Sequence, residues 1–161
     1  MSGTKTYKAF IEIPAGSSVK YEVDEDTGEL TVDRFLHTAF TYPFNYGYIK
    51  DTLGEDGDPV DVVILSSRPV VPGVIMKIEV IGILDMEDEA GPDAKLLAVP
   101  TEKIDPFYGA WKEIDDIPQT LLNQIKHFFE NYKTLEPEKW VKVRDFKDKQ
   151  AALAEIKNSQ K

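Results

Sequence analysis

The chain has 161 residues, a formal net charge of −10 and no cysteine. This length suits one domain with a substantial core, and the lack of cysteine excludes disulfides and thiolate metal sites. The negative charge argues against DNA or RNA as a partner, because nucleic-acid binding depends on clustered Lys and Arg. The sequence shows neither the apolar run of a signal peptide nor a stretch long enough for a transmembrane helix. We therefore expect a single domain over residues 1–161, located in the cytoplasm.

The first two thirds of the chain are typical of β-structure. Alternating apolar and polar residues predict a strand over Tyr7–Ile13 and a hairpin over residues 19–35. Within this hairpin Arg34 has the parity of Leu30 and Val32, which predicts that it points toward the face that they bury. The aromatic segment TYPFNYGY is interpreted as core and loop packing. Three further strands are predicted over residues 60–65, 74–84 and 96–99.

The last third of the chain changes to helical spacing. An apolar stripe predicts a helix after Pro118, whose fixed φ and two preceding aspartates suit a helix N-terminus. The residues of this stripe are Leu121, Leu122, Ile125, Phe129 and Tyr132. Phe128 lies outside the stripe and is a candidate interface residue. A second helix is predicted over about Lys147–Lys157, so the pattern as a whole favours a compact β-barrel or curved sheet with two helices packed on it.

Two acidic segments adjoin predicted strands. EDGDPVDVVI, residues 55–64, carries four acids, and DMEDEAGPDAK, residues 85–95, carries five before its only base. Two carboxylates about 4 Å apart repel by roughly 4 kcal/mol at an effective dielectric near 20, so a proton, a base or a metal ion must offset the repulsion. Oxygen-only ligands favour a hard cation such as Mg²⁺, Mn²⁺ or Ca²⁺, although neither segment matches an EF-hand. A solvated acidic turn remains the alternative for each segment.

Basic and phenolic side chains accompany these acids. Arg34 lies in the predicted hairpin, Tyr132 and Lys133 close the first predicted helix, and several tyrosines lie in residues 41–48. Carboxylates can hold metal cations, whereas cationic and phenolic side chains can hold phosphate oxygens. The combination predicts a metal-assisted site for phosphoryl chemistry.

Seven ordered motifs connect the sequence to a known family. They are EIPA (12–15), KYE (20–22), VDRF (32–35), YPFNYGY (42–48), DGDPVD (56–61), DEAGPDAK (88–95) and HFFENYK (127–133). In these motifs the chain resembles the family I inorganic pyrophosphatases in their short bacterial and archaeal form. The resemblance implies an OB-like five-stranded β-barrel with two α-helices outside it. It also implies Mg²⁺-dependent hydrolysis of pyrophosphate to two orthophosphates by in-line attack of a metal-activated water. Such hydrolysis drives biosynthetic reactions that release pyrophosphate.

The same resemblance implies several Mg²⁺ ions per site, with Mn²⁺ or other divalent cations as substitutes, and a homohexamer. The implied metal ligands are Glu12, Asp56, Asp61, Asp88 and Asp93, with Asp61 bridging two ions. The implied substrate-binding residues are Lys20, Arg34, Tyr46, Tyr132 and Lys133, with Lys95 nearby. Arg34 and Lys133 would also stabilise the charge that develops on the leaving phosphate. Tyr46 would contact the nucleophilic water, which would give its proton to Asp58 as the general base. Supporting positions behind these groups are implied for Glu22, Tyr42 and Glu89.

Two other functions are compatible with parts of the sequence. Residues 56–60 resemble the D-x-D-x-[TV] motif of haloacid-dehalogenase-type phosphatases, but that motif should follow a buried parallel strand in an alternating βα chain. An acidic module that binds divalent cations without catalysis would explain the carboxylates. It would leave Arg34, Lys133 and the tyrosines without a role.

Overall fold

The computed structural model describes residues 5–53 and 58–160. This part of the chain contains nine strands, two α-helices and two short 3₁₀ turns. The strands are β1 (Tyr7–Ile13), β2 (Val19–Val23), β3 (Leu30–Phe35), β4 (Asn45–Ile49), β5 (Asp61–Ile64), β6 (Ile75–Asp88), β7 (Gly91–Pro92), β8 (Lys95–Pro100) and β9 (Val141–Lys147). The helices are α1 (Gln119–Asn131) and α2 (Lys149–Ser159), and the 3₁₀ turns are Tyr108–Ala110 and Ile114–Asp116.

Five strands form a closed ring in the order β1-β4-β5-β8-β6, because β6 also pairs with β1. All pairs in the ring are antiparallel except β5 with β8, which is parallel. β7 and β9 both extend the sheet from β6, the longest strand. A closed ring leaves few unpaired strand edges, which explains why so short a chain can support a mainly β fold. The predicted fold class, an OB-like ring of five strands with two helices, is confirmed.

Strands β2 and β3 form a separate two-stranded sheet, here called the arm (residues 19–35). Its register shifts at Asp33, since Lys20 pairs with Arg34 whereas Tyr21 pairs with Val32. Such a bulge breaks the two-residue alternation of side chains. Val32 is 55% exposed, so the prediction that Arg34 shares a buried face with it is wrong.

The ring strands are buried on both faces, and two clusters of apolar side chains result. Successive residues of β5 belong to different clusters, since Val63 lies in the first and Val62 in the second. Helix α1 contributes to the first cluster and α2 to the second. The α1 residues buried in the first cluster are Leu122, Ile125, Phe128 and Phe129, and those of α2 in the second are Ala152 and Ile156. Phe128 is only 3% exposed, so its assignment to an interface is wrong.

The helix ends differ from the predicted ones in instructive ways. Asp116 does not cap α1 but accepts the backbone N–H groups of Lys112 and Glu113, which lower its pKa. Helix α2 begins two residues later than predicted, where the Asp148 carboxylate accepts the Ala151 N–H at 3.0 Å. In the described residues no helix is long and apolar enough to cross a membrane.

The C-terminal end of α2 is hydrogen-bonded to the residues that immediately precede residue 54. Thr52 forms an isolated bridge with Gln160, and the Leu53 N–H donates to the Ser159 carbonyl. Thr52 is 2% exposed, and its hydroxyl accepts the N–H of Val60 at 3.0 Å. These contacts hold both flanks of the acidic segment, although residues 54–57 themselves lie outside the described residues.

Most of the strand predictions are confirmed, and three strands were not predicted. The bounds of β1 agree with the prediction, β2 and β3 form the predicted hairpin over residues 19–35, and β5 and β8 agree to within one residue at each end. β6 runs four residues further than predicted, into the second acidic segment. β4 lies in the segment that was interpreted only as aromatic packing, and β7 and β9 had no predicted counterparts.

The first prediction concerns Gly47 in β4, which lets the backbone of β1 approach closely. A Cβ atom at this position would lie 1.8 Å from the Phe10 carbonyl oxygen, a backbone atom that cannot move aside alone. We expect Gly47→Ala to lower the free energy of unfolding by about 3 kcal/mol or more. Gly16→Ala is the control, because its Cβ meets nothing within 4 Å and only its φ of +90° opposes the change, at about 1–2 kcal/mol. Equal losses in urea denaturation would contradict the prediction.

Candidate active site

A cavity of about 560 Å³ opens between the ring, the arm and the end of α1. Fourteen of the fifteen residues singled out from the sequence line it. They are Glu12, Lys20, Glu22, Arg34, Tyr42, Tyr46, Asp58, Asp61, Asp88, Glu89, Asp93, Lys95, Tyr132 and Lys133. The fifteenth, Asp56, lies outside the described residues. Residues that are up to 121 positions apart in the chain therefore meet at one place.

The wall formed by the ring carries carboxylates around one buried ammonium group. Lys95 begins β8, and its Nζ lies 2.7 Å from Asp61 Oδ2 and 2.9 Å from Asp93 Oδ2. Asp61 begins β5, and the parallel pairing of β5 with β8 sets Asp61 opposite Lys95 in register. The Lys95 Nζ also lies 5.4 Å from the ring centre of Tyr46 and 5.8 Å from that of Phe129. Lys95 is 3% exposed, so its charge is balanced inside the protein and not by solvent.

The pKa values of the groups on this wall are shifted by burial and by neighbouring charges. Burial alone would lower the pKa of Lys95, but the negative charge of Asp61 and the neighbouring groups raise it well above its usual value. Burial raises the pKa of Asp93 to about 6, although Lys95 counteracts this shift. Burial and the charge of Asp61 raise the pKa of Glu12 to about 8. The wall therefore holds more carboxylates than its single ammonium can neutralise, and a further cation would relieve the excess.

The opposite wall is the turn that follows α1. Lys133 is 8% exposed, and its Nζ lies 3.3 Å from Asp88 and 3.4 Å from Glu89. Glu89 also accepts the backbone N–H of Trp140 at 3.2 Å. Desolvation would raise the pKa of Glu89, but backbone hydrogen bonds and the ammonium of Lys133 lower it to about 2. Glu89 thus ties the end of β6 to the turn that carries Lys133.

The third wall is the arm. The carboxylate of Asp33 lies 3.4 Å from Lys20 Nζ and 3.1 Å from Arg34, so one acid lies between two cations. Arg34 also donates to Glu136, which comes from the turn after α1. Both cations of the arm, Lys20 and Arg34, line the cavity.

Asp58 lies at the exposed rim, where the chain enters β5. Partial desolvation raises its pKa, and so does the carboxylate of Glu25, which forms a side-chain hydrogen bond with it. Glu22 lines the same side of the cavity and raises the pKa of Glu12 through its charge. A carboxylate with a raised pKa at the mouth of a cavity is suited to accept a proton near neutral pH.

The floor of the cavity is aromatic. The ring of Tyr42 lies 5.7 Å from that of Tyr46 and 4.7 Å from that of Phe128, and the Phe128 ring lies 5.1 Å from that of Tyr132. Burial raises the pKa of Tyr132 to about 12 and raises those of Tyr42 and Tyr46 well above their ordinary value, so all three phenols stay protonated as donors. The helix spacing that buries Phe128 and Tyr132 therefore also delivers a phenol to the site.

Comparison with known proteins gives the family. Residues 9–161 match the model of the family described as inorganic pyrophosphatase. The inorganic pyrophosphatase of Aquifex pyrophilus is 57% identical over 147 residues, which is 91% of this chain and 83% of that protein. That of Campylobacter jejuni is 55% identical over 145 residues, 90% of this chain and 84% of that protein. The chain belongs to the inorganic pyrophosphatases.

The solved structures agree with this membership. An inorganic pyrophosphatase from Coxiella burnetii superposes with a TM-score of 0.93 at 50% identity, covering 98% of this chain and 95% of that one. The resemblance to family I inferred from the motifs is therefore confirmed, and the protein is a hydrolase that acts on pyrophosphate. Membership decides against both alternatives, the haloacid-dehalogenase-type phosphatase and the non-catalytic cation-binding module.

The donor set of this pyrophosphatase fits a hard divalent cation. Its acidic wall offers carboxylate oxygens without sulfur or imidazole, which is the ligand chemistry that Mg²⁺ and Mn²⁺ prefer. Among the described residues no three such side chains converge closely enough to count as a preformed metal cluster. Lys95 instead bridges two of the candidate ligands, Asp61 and Asp93. Of the other candidates, Glu12 has a raised pKa and Asp88 lies 3.3 Å from Lys133 Nζ.

Sequence reasoning overlooked several carboxylates in or beside the pyrophosphatase site, among them Glu25, Asp33 and Glu136. Asp33 stands inside the VDRF motif, so its position beside Arg34 was available as a signal. Glu25 belongs to a hairpin turn whose acids read as solvated, and only the fold brings it to Asp58. Glu136 is 102 residues from Arg34 in sequence, and no spacing pattern predicts that contact.

The second prediction concerns the buried ammonium of Lys95. Lys95→Met leaves Asp61 and Asp93 close together without their shared cation, so we expect the free energy of unfolding to fall by about 3–5 kcal/mol in the presence of a chelator. Lys147→Met is the control, since its pair with Asp85 at 3.7 Å is exposed and should be worth less than about 1 kcal/mol. A Lys95→Met protein as stable as the wild type would show that protonation relieves the two acids instead.

Proposed function

We propose that the chain hydrolyses inorganic pyrophosphate to two orthophosphates in a reaction that depends on Mg²⁺. The observation that carries this proposal is the single cavity in which a carboxylate wall faces Lys20, Arg34 and Lys133. A metal-phosphate substrate needs both kinds of group at once, oxygen ligands for its cations and cationic donors for its phosphate oxygens. Membership of the pyrophosphatase family supports pyrophosphate as that substrate.

The carboxylates are proposed to hold several divalent cations, with Mn²⁺ as a possible substitute for Mg²⁺. The proposed ligands are Glu12, Asp61, Asp88 and Asp93, together with Asp56 from outside the described residues. When bound, such cations neutralise phosphate charge and lower the pKa of a coordinated water. Raised carboxylate pKa values support this assignment, because Glu12 and Asp93 would gain most from a nearby positive charge.

The basic side chains are proposed to hold the substrate from two sides. Lys20 and Arg34 approach from the arm, and Tyr132 and Lys133 approach from the end of α1. Arg34 can present two parallel N–H groups to a phosphate, whereas Lys133 acts as a compact charge on the leaving phosphate. Lys95 is proposed to add positive charge to the substrate site from its buried position, where it also fixes the orientation of Asp61 and Asp93. Held in this way, the bridging oxygen can lie in line with an attacking water.

Asp58 is proposed as the group that accepts the proton of the attacking water. Its raised pKa and its place at the cavity rim support this role. The protonated phenol of Tyr46 would orient the same water by hydrogen bonding, with Tyr42 packed behind it. Glu22 and Glu89 are proposed to support the ligands from behind, and Glu89 does so through its contacts with Lys133 and Trp140.

At the level of the cell, we propose that one domain over residues 1–161 works in the cytoplasm as part of a homohexamer. Reactions that form a phosphodiester or acyl-nucleotide bond release pyrophosphate, and its hydrolysis makes them irreversible. The family relationship supports these assignments.

The third prediction is the direct test of this function. We expect phosphate release from pyrophosphate to rise with Mg²⁺ concentration and to disappear when a chelator removes the metal. ATP and p-nitrophenyl phosphate, tested in parallel, should react far more slowly. Folded protein that leaves pyrophosphate intact across the whole Mg²⁺ range would contradict the proposal.

The fourth prediction separates a metal ligand from a proton acceptor. Asp61→Asn should remove most of the activity and raise the Mg²⁺ concentration for half-maximal rate about 10-fold or more, since a proposed ligand loses its charge. Asp58→Asn should leave that concentration nearly unchanged and lower turnover at neutral pH about 100-fold. Because only the ionised Asp58 accepts a proton, the wild-type rate should rise with pH through its pKa, and the Asn variant should lack that rise. An unchanged pH–rate profile would assign the base to another group.

A further inference from the structure

We propose that Glu136 is a positioning residue that fixes the guanidinium of Arg34 for the reaction. The proposal rests on the proposed function, in which Arg34 holds a phosphate oxygen of pyrophosphate. Glu136 belongs to none of the seven motifs and follows α1 by five residues. Its carboxylate accepts from Arg34 NH1, and its side chain is 6% exposed against 29% for that of Arg34. Both side chains line the cavity, and the acid is the more deeply buried of the two.

Two carboxylates from two different elements hold Arg34. Asp33, on the same strand, lies 3.1 Å from NH2, and Glu136, from the turn after α1, accepts from NH1. A guanidinium group has five N–H donors in a fixed plane, so two anchored nitrogens determine the direction of the remaining donors. Without Glu136 the plane could rotate about its bond to the arm, because Asp33 moves with the same strand.

The anchor also joins the two walls that carry the proposed phosphate ligands. The Glu136 N–H donates to the Lys133 carbonyl at 3.1 Å, so the acid and Lys133 belong to one turn. Glu136 therefore links this turn to Arg34. The link limits how far Lys133 and Arg34 can move relative to each other. A separate hydrogen bond of 3.2 Å, from the Thr38 hydroxyl to the Tyr132 carbonyl, joins the segment just after the arm to the end of α1.

This arrangement predicts a particular kinetic signature. A carboxylate beside Arg34 weakens its attraction for an anion, so Glu136 does not strengthen substrate binding as such. Its benefit lies in orientation, which affects the transition state more than the bound substrate. Removing its charge should therefore lower kcat while KM for pyrophosphate changes little or falls.

The fifth prediction states the experiment. In Glu136→Gln we expect kcat for pyrophosphate to fall about 10-fold, with KM within about 3-fold of the wild type. Glu136→Asp keeps the carboxylate with a shorter reach and should recover part of kcat. Glu130→Gln, an exposed acid in the last turn of α1, is the matched control and should behave like the wild type. All variants are assayed at saturating Mg²⁺, well below their own melting temperatures.

A double-mutant comparison distinguishes orientation of Arg34 from general structural support. In the Arg34→Ala background, Glu136→Gln should lower kcat no more than about 2-fold further, because the group that it positions is gone. The proposal is overturned if Glu136→Gln keeps the wild-type kcat, or if the full 10-fold loss recurs in the Arg34→Ala background. Should Glu136→Gln fail to fold, Glu136→Asp takes its place in both comparisons under the same criteria.

The same set of proteins separates failure of this proposal from failure of the proposed function. Wild-type protein without pyrophosphate hydrolysis would refute the function itself. A wild-type enzyme that is insensitive to Arg34→Ala would refute the role of Arg34. Loss of activity in Arg34→Ala together with wild-type behaviour of Glu136→Gln would refute the positioning role alone.

Discussion

The ammonium of Lys95, enclosed between Asp61 and Asp93, is the interaction on which the rest of the site depends. It is held by the parallel pairing of β5 with β8, which starts both strands at the same edge of the ring. A buried charge is tolerated only when it is paired, so this register and this pair require each other. The aromatic floor completes the arrangement, because the rings of Tyr46 and Phe129 also lie close to the ammonium.

The fold brings charges of both signs from several elements into one cavity. Asp61 and Lys95 come from ring strands, Glu22 and Arg34 from the arm, and Lys133 from the turn after α1. Each cation already has an acidic partner, as Arg34 has Asp33 and Lys133 has Asp88. Metal and polyanion binding would therefore exchange these internal pairs for new ones, which limits the net change in buried charge.

Sequence patterns predicted the parts of this protein that local chemistry determines. The alternation in β1 was sufficient to predict its bounds, and the spacing in α1 was sufficient to predict which face it buries. The motifs contained the fourteen predicted residues that line the cavity. β9 alternates only over its first four residues, and as a half-exposed strand that follows one helix and precedes another it was overlooked. The Asp33 bulge and the Glu136 contact are tertiary outcomes, since a register shift and a pairing over 102 residues have no period that a sequence window can detect.

The two apolar clusters on the two faces of the ring differ in their relation to the cavity. All the apolar side chains that line the cavity and are fully buried belong to the first cluster, and no member of the second cluster reaches the cavity. Substitutions around Ala152 and Ile156 therefore act on the packing of the ring from the face that does not line the cavity. Thermal adaptation has in this second cluster a region where packing can change between warm and cold habitats without replacing any residue that lines the cavity.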